Sequence, residues 1–157
     1  TLKIINNGYI WGRGGVGGAG GATYSQAIGW GYTIAGSVGG AGGPALDVAY
    51  PTTLVNNGSI ASGGNGGTGG TSICTVPYGT SNPVVPSWYS IGGAGGAGAG
   101  WLANGAATGS AGVAGTGSSV QPSANGGAGS DLGTSTYIVG NANVIWQVPG
   151  TRLGTAS

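Results

Sequence analysis

The sequence predicts a chain that is neither α nor ordinary β: a packed polyglycine-II sandwich of polyproline-II-type helices, with short β-strands at the N- and C-termini and long connecting loops. Three observations predict it. Gly14-Gly15-Val16-Gly17-Gly18-Ala19-Gly20-Gly21-Ala22 repeats every three residues with glycine at two positions of each three. That is the period of an extended left-handed helix with no hydrogen bonds of its own. The pattern returns around Gly39–Gly43, Gly63–Gly70 and Gly92–Gly98, and two bare edges per turn let another such helix lie directly alongside, each backbone finding its partners on the other. Finally, 41 glycines and 7 prolines point to low complexity. Yet a charged fraction of 3%, with five Trp and seven Tyr, is far from what keeps a disordered segment solvated.

Taken in order, Thr1-Leu2-Lys3-Ile4-Ile5 alternates weakly and reads as a short strand. Asn6-Asn7-Gly8 is a turn signal, and Tyr9-Ile10-Trp11-Gly12-Arg13 leads into the first glycine block. The phrase recurs as Val55-Asn56-Asn57-Gly58-Ser59-Ile60 ahead of Gly63-Gly64-Asn65-Gly66-Gly67-Thr68-Gly69-Gly70, an internal repeat too irregular for a uniform solenoid. The blocks at Ile34–Gly43 and Ile91–Gly98 keep two glycines in three, whereas Gly109–Gly117 has one per turn and is expected at the margin of the sandwich. Asn125–Gly129 is a short sixth block. A nine-residue block would span roughly 28 Å. Val16, Ala19, Ala41, Ala94 and Ala97 fill the third position and are expected to fill a core, while Asn65, Thr68 and Thr71 suggest a wetter helix. Thr136–Val139 and Asn143–Val148 read as two strands about Gly140-Asn141, closing the sandwich against the N-terminal strand.

Chemistry is nearly absent. There is no His, so Ser–His and Cys–His pairs are excluded. The two carboxylates, Asp47 and Asp131, sit among ordinary turn neighbours and read as solvated or capping groups. One Cys, two Asp and no Glu give no metal site, and the glycine phrases lack the Lys-Ser/Thr and the following helix of a phosphate loop. No enzyme activity and no cofactor is expected. Net charge is +1, from Lys3, Arg13 and Arg152 against the two Asp, too few cations for nucleic acid or a membrane surface. No apolar run reaches the ~20 residues of a membrane-spanning helix, so direct membrane insertion is not expected. Cys74 has no intrachain disulfide partner.

Recognition remains. The segments Thr23–Thr33, Pro44–Leu54, Thr71–Ser90, Trp101–Gly105, Ser118–Ala124 and Ser130–Ser135 read as loops on a rigid scaffold, where binding residues usually sit. They hold Tyr24, Trp30, Tyr32, Tyr50, Tyr78, Trp88, Tyr89 and Trp101, among Ser, Gly and Asn, as in adaptable binding loops. These eight aromatics are the candidate receptor-binding residues. Trp11 and Trp146 are assigned to capping the glycine core.

The lead-in from Thr1 through Tyr9-Ile10-Trp11-Gly12-Arg13-Gly14-Gly15 resembles that of the glycine-rich region of T-even bacteriophage long tail fibre adhesins. Val55-Asn56-Asn57-Gly58-Ser59-Ile60-Ala61 resembles a second phrase of that region. Ile145-Trp146 to Gly150-Thr151-Arg152-Leu153-Gly154 is similar to the family's closing strand. The resemblance implies layered polyglycine-II helices at a virion's tail fibre tip, whose variable loops bind a Gram-negative host's outer-membrane protein or lipopolysaccharide. It also implies partners among the tail fibre and tail tip proteins. Those adhesins carry an N-terminal docking domain that has no counterpart here. Residues 1–157 are therefore expected to form a single recognition domain, either the C-terminal part of a longer tail protein or a domain that docks through its short N-terminal strand. The absence of an initiating Met and of a signal peptide reads as an excised piece, a processed product or the end of a longer protein. Polyglycine-II ice-binding proteins and mycobacterial glycine-rich surface repeats share the composition. Irregular block lengths and bulky loop aromatics argue against the flat array that ice binding needs, and the mycobacterial repeats run longer without such loops.

Overall fold

The computed structural model describes residues 2–25, 31–75, 88–101, 108–116 and 123–157. Among them there is no α-helix. The strands are β1 (Leu2–Asn6), β2 (Tyr9–Trp11), β3 (Ala22–Ser25), β4 (Gly31–Ile34), β5 (Leu46–Asp47), β6 (Thr52–Asn56), β7 (Ser59–Ala61), β8 (Ser72–Thr75), β9 (Trp88–Ile91), β10 (Thr136–Val139), β11 (Val144–Val148), β12 (Thr151–Leu153) and β13 (Thr155–Ala156). A single 3-10 turn, Asn141–Asn143, lies between β10 and β11.

Nine strands form a base of three parallel sheets, ordered β1-β6-β11, β2-β7-β12 and β5-β10-β13. Consecutive strands β5, β6 and β7 fall one to each sheet, as do β10, β11 and β12. The chain thus winds in three-sided coils, one stacked on the next, with β1 and β2 forming two sides of the first. The repeated Asn-Asn-Gly phrase lies in register across this stack, Ile5 beside Val55 and Asn6 beside Asn56. Alternation in β6 turns Leu54 inward between the inward-facing polar residues Thr52 and Asn56. Leu54, Ile60 and Ile138 are fully buried, with Val48 and Tyr137 beside them and Ile4, Ile10, Leu46, Val144 and Trp146 packed around. Burying each large aliphatic contributes about 1.5–3 kcal/mol. The polar residues inside are satisfied: Asn6 Nδ2 donates to Asn56 Oδ1 at 2.7 Å, and Asn56 Nδ2 donates to the Pro149 carbonyl at 2.8 Å.

From this base run six glycine-rich stretches with neither helix nor strand hydrogen bonding of their own, at residues 14–21, 35–43, 62–70, 92–98, 109–115 and 124–130. Their backbones bond to one another at every third residue. Gly15, Gly18 and Gly21 donate to Gly64, Gly67 and Gly70, while Gly92, Gly95 and Gly98 donate back to Gly21, Gly18 and Gly15. The third stretch bonds with the first, second, fourth and sixth, and the fourth with the first, third, fifth and sixth. The fifth, with one glycine per turn, bonds only with the fourth and sixth among the described residues, the marginal position its sequence predicts.

Three expectations are corrected. The third position of the repeat does not fill a core: Val16 is 59% exposed, Ala19, Ala41 and Ala94 are exposed too, and Ala97 is half-buried. The interior of this region is backbone, and side chains are pushed out because at most of its glycines a Cβ would fall on the backbone of a neighbouring stretch. β10 and β11 form where the two strands were expected, but they do not close against β1. Gly140, in the left-handed region at φ 77°, turns the chain from one sheet to another, and β6 lies between β11 and β1. Pro44–Leu54 is not wholly a loop, since β5 and the start of β6 fall within it.

Candidate functional site

At the ends remote from the base, the glycine stretches run into a small cap. The first continues into β3 and returns through β4; the third continues into β8 and returns through β9. Pairing is between these excursions and not within them. β3 is antiparallel to β9, with Tyr24 opposite Tyr89 and Ser25 opposite Trp88, and β4 is antiparallel to β8, with Tyr32 opposite Cys74. The connection between the fifth and sixth stretches reaches the same end, where Thr116 bridges Ile91 and Ser123 bridges Ser72. Cross-pairing ties the roots of two long excursions together, so the cap is anchored by backbone hydrogen bonds. Three chain reversals therefore share one end of the molecule.

This end carries no charge. Residues 22–34, 71–91 and 116–123 contain no Asp, Glu, Lys or Arg. The five charged side chains lie elsewhere. Arg152 sits 5.0 Å over the Trp146 ring, and Asp131 Oδ1 accepts the Gly109 N–H at 3.0 Å, the capping role expected of it. No group of three metal-binding side chains occurs among the described residues.

The eight candidate aromatics divide. Tyr24, Tyr32, Trp88 and Tyr89 lie on three of the four cap strands, β3, β4 and β9. Trp30 and Tyr78 lie outside the described residues. Tyr50 and Trp101 are at the other end: Tyr50, 78% exposed, sits between β5 and β6, and Trp101, 54% exposed, bridges Arg13 where the first stretch leaves the base. Trp146 is packed against the base core with its Nε1 donating to Asn141 Oδ1 at 3.1 Å, and Trp11 is half-buried. Both are thus scaffold residues, although Trp146 serves the strand base and not the glycine core.

Sequence reasoning missed Tyr9. It is 77% exposed, its ring 5.6 Å from that of Trp11 and tilted by 54°. It borders a shallow groove of about 360 Å³ lined by Asn7, Gly8, Tyr9, Asn57, Gly58, Ser59 and Thr151. The signal was available: with Ile10 turned inward, strand alternation sends Tyr9 outward.

Comparison with curated proteins and with solved structures returns no match. The family described as phage tail fibre adhesin Gp38 matches residues 1–156. An uncharged cap anchored on glycine stretches accords with that description. The chain belongs to the phage tail fibre adhesin Gp38 family, whose place is the tip of the virion's tail fibre and whose role is host recognition.

Proposed function

We propose that the cap built on β3, β4, β8 and β9 is the receptor-binding end of this adhesin, and that it binds an outer-membrane protein or lipopolysaccharide of a Gram-negative host. The observation that carries this reading is the polarity of the fold. Three chain reversals rich in Ser and Thr, two of them carrying Tyr and Trp, gather at one end, and the apolar core lies at the other. On this reading Tyr24, Tyr32, Trp88 and Tyr89 are the first binding candidates, with Trp30 and Tyr78 from the same excursions. Tyr50 and Trp101 are better placed for contacts within the tail. Aromatic rings supply contact area at little entropic cost, and avidity across several fibres raises the effective affinity.

The same reading makes the glycine stretches polyglycine-II helices in two layers of three. The second, third and sixth form one layer, and the first, fourth and fifth the other. The three-residue period of the bonds supports this, as does the confinement of positive φ to glycines outside the six stretches. A single recognition domain over residues 1–157, without catalytic function, completes the proposal.

The test is binding of the labelled protein to intact cells of a Gram-negative panel, with and without surface protease treatment. Selective, protease-sensitive binding assigns a protein receptor; selective binding that survives protease assigns lipopolysaccharide. Replacing Trp88 and Tyr89 together by Ala is expected to lower cell binding at least tenfold while leaving the circular dichroism spectrum and Tm in place. Because the cap is uncharged, binding is expected to change little between low and physiological salt. A steep fall with salt, or unaltered binding by the double variant, would overturn the reading.

A further inference from the structure

Asn-Gly is the dipeptide at which a chain most readily attacks itself. The glycine backbone nitrogen adds to the Asn side-chain carbonyl carbon, and the glycine has no Cβ to stand in the way. The sequence holds five such pairs: Asn7-Gly8, Asn57-Gly58, Asn65-Gly66, Asn104-Gly105 and Asn125-Gly126. All but Asn104-Gly105 lie among the described residues, and the fold treats them unequally.

In three of these pairs the nucleophile is held. Gly8 N–H donates to Asn6 Oδ1 at 3.0 Å. Gly66 N–H donates to the Gly40 carbonyl at 2.8 Å, and Gly126 N–H to the Val113 carbonyl at 2.9 Å. In the last two the side chain is held as well: Asn65 Oδ1 accepts the Gly42 N–H at 2.9 Å, and Asn125 Oδ1 accepts the Gly115 N–H at 3.1 Å. Gly58 differs. Its N–H has no acceptor among the described residues. The acceptor equivalent to the one Gly8 uses, Asn56 Oδ1, is turned instead to Asn6 Nδ2 at 2.7 Å. The groups around Gly58 N–H are nonetheless fixed to the coils on either side. Asn57 N–H donates to the Asn6 carbonyl at 2.8 Å, Ser59 N–H to the Gly8 carbonyl at 2.9 Å, and Thr151 N–H to the Gly58 carbonyl at 3.1 Å. The Asn57 side chain is exposed, and its one bond among the described residues runs from Nδ2 to Asn7 Oδ1 at 2.8 Å. Asn57 and Gly58 both line the shallow groove beside Tyr9, which opens the pair to water.

We propose that Asn57 is a site of spontaneous modification, converted to Asp through a cyclic imide formed with Gly58. Water or hydroxide takes the Gly58 N–H proton as the nitrogen attacks Asn57 Cγ; the Cγ–Nδ2 bond breaks and ammonia leaves. A second water then opens the ring. Opening at Cγ leaves an ordinary Asp. Opening at the backbone carbonyl reroutes the main chain through the side chain and makes it one carbon longer. The corner disfavours that second product, because hydrogen bonds to both neighbouring coils hold it and even a Cβ on Gly58 would fall on the Gly8 carbonyl. Ring closure consumes the Gly58 N–H, a group without a protein partner, whereas at Gly8, Gly66 and Gly126 it first breaks a hydrogen bond. Conversion adds a third carboxylate to the two Asp, so the net charge of +1 falls to 0. The modification is independent of what the cap binds.

The test is to incubate the purified protein at mildly alkaline pH in heavy-oxygen water and to map its peptides by mass spectrometry, native and in denaturant. In the native protein Asn57 is expected to take up solvent oxygen at least fivefold faster than Asn7, Asn65 or Asn125, with Asp as its main product. In denaturant the four rates should draw together, and the lengthened isomer should predominate at each. Asn7 carries the decisive comparison: it shares the side-chain bond of Asn57 and differs in having its glycine N–H tied to Asn6. Native conversion of Asn7, Asn65 or Asn125 as fast as that of Asn57 overturns the proposal. So does the same spread of rates in denaturant, since sequence and not the fold would then set it. A predominance of the lengthened isomer at position 57 in the native protein overturns the assignment of the product.

Discussion

In the strand base, Leu54, Ile60 and Ile138 bury whole side chains against one another, and the glycines are at corners. In the glycine stretches the buried surface is peptide backbone, and the side chains that exist, such as Val16 and Val38, point into solvent. The base is stabilised as most small domains are, by apolar area removed from water. The stretches have almost no apolar side-chain area to remove. They are held by hydrogen bonds of 2.7–3.0 Å between neighbouring chains, such as Gly70 N–H to Gly93 O and Gly93 N–H to Ala124 O, and by dispersion between closely apposed backbones. Glycine carries the largest entropy loss on ordering, which makes the close approach a requirement. The difference teaches that the two regions fail in opposite ways: the base on losing side-chain volume, the stretches on gaining it.

The largest effect is therefore expected from the smallest addition. Gly66 lies in the third stretch, and a Cβ there would fall on the Val16 carbonyl of the first. The obstacle is backbone on a neighbouring chain, so no side-chain rotation relieves it. Gly66→Ala is expected to cost more than the roughly 1–3 kcal/mol of ordinary overpacking. Thermal denaturation followed by far-ultraviolet circular dichroism should show it as a collapse of Tm or a failure to fold. A loss below about 1 kcal/mol would mean that the stretches are not packed as tightly as described.

In the base the reverse substitution matters. Leu54→Ala removes most of a fully buried side chain and is expected to cost about 2–5 kcal/mol, read as a shift of the urea midpoint at constant slope. Next comes Asn56→Ala. It leaves the Asn6 amide and the Pro149 and Thr151 carbonyls without their partner, for about 1–3 kcal/mol. If Asn56→Ala cost more than Leu54→Ala, the amide ladder rather than the apolar core would be the main support of the base.

The same comparison explains what the sequence made legible. A strict three-residue period is a local pattern, and from it come the stretches, their two buried edges and the marginal fifth member. The Asn-Asn-Gly repeat was visible, but not that its two copies lie in register with Asn6 and Asn56 sharing a side-chain hydrogen bond. The strands β10 and β11 were legible, but their stacking as a third coil was hidden: at its corner Pro149-Gly150 replaces Asn-Gly, and β11 contacts β6 across nearly a hundred residues. β5 was hidden for want of length, two residues being too few for any alternation. The outward path of Val16 and Ala19 was misread because an apolar side chain suggests a core, and only the close approach of six backbones shows that the core has no room for one. Of the candidate site, aromatic content was visible in the sequence. The separation of Tyr50 and Trp101 from the cap was not, because it depends on which way each stretch runs.

The smallest effect should come from a glycine beside one of the most demanding. Gly39 and Gly40 are consecutive in the second stretch, which among the described residues bonds with only two neighbouring stretches. A Cβ on Gly39 would fall on the Gly66 carbonyl, whereas on Gly40 the nearest atoms are Val16 Cγ2 and N, both at 3.4 Å, ordinary van der Waals contacts. Gly40 does not have positive φ. Gly40→Ala is thus expected to leave Tm unchanged or to raise it slightly, since alanine narrows the unfolded ensemble by about 0.4–1 kcal/mol. Gly39→Ala should behave like Gly66→Ala. Equal losses at both positions would locate glycine's role in backbone conformation; a large loss at Gly39 alone would locate it in the space between chains, where the geometry of the second stretch puts it.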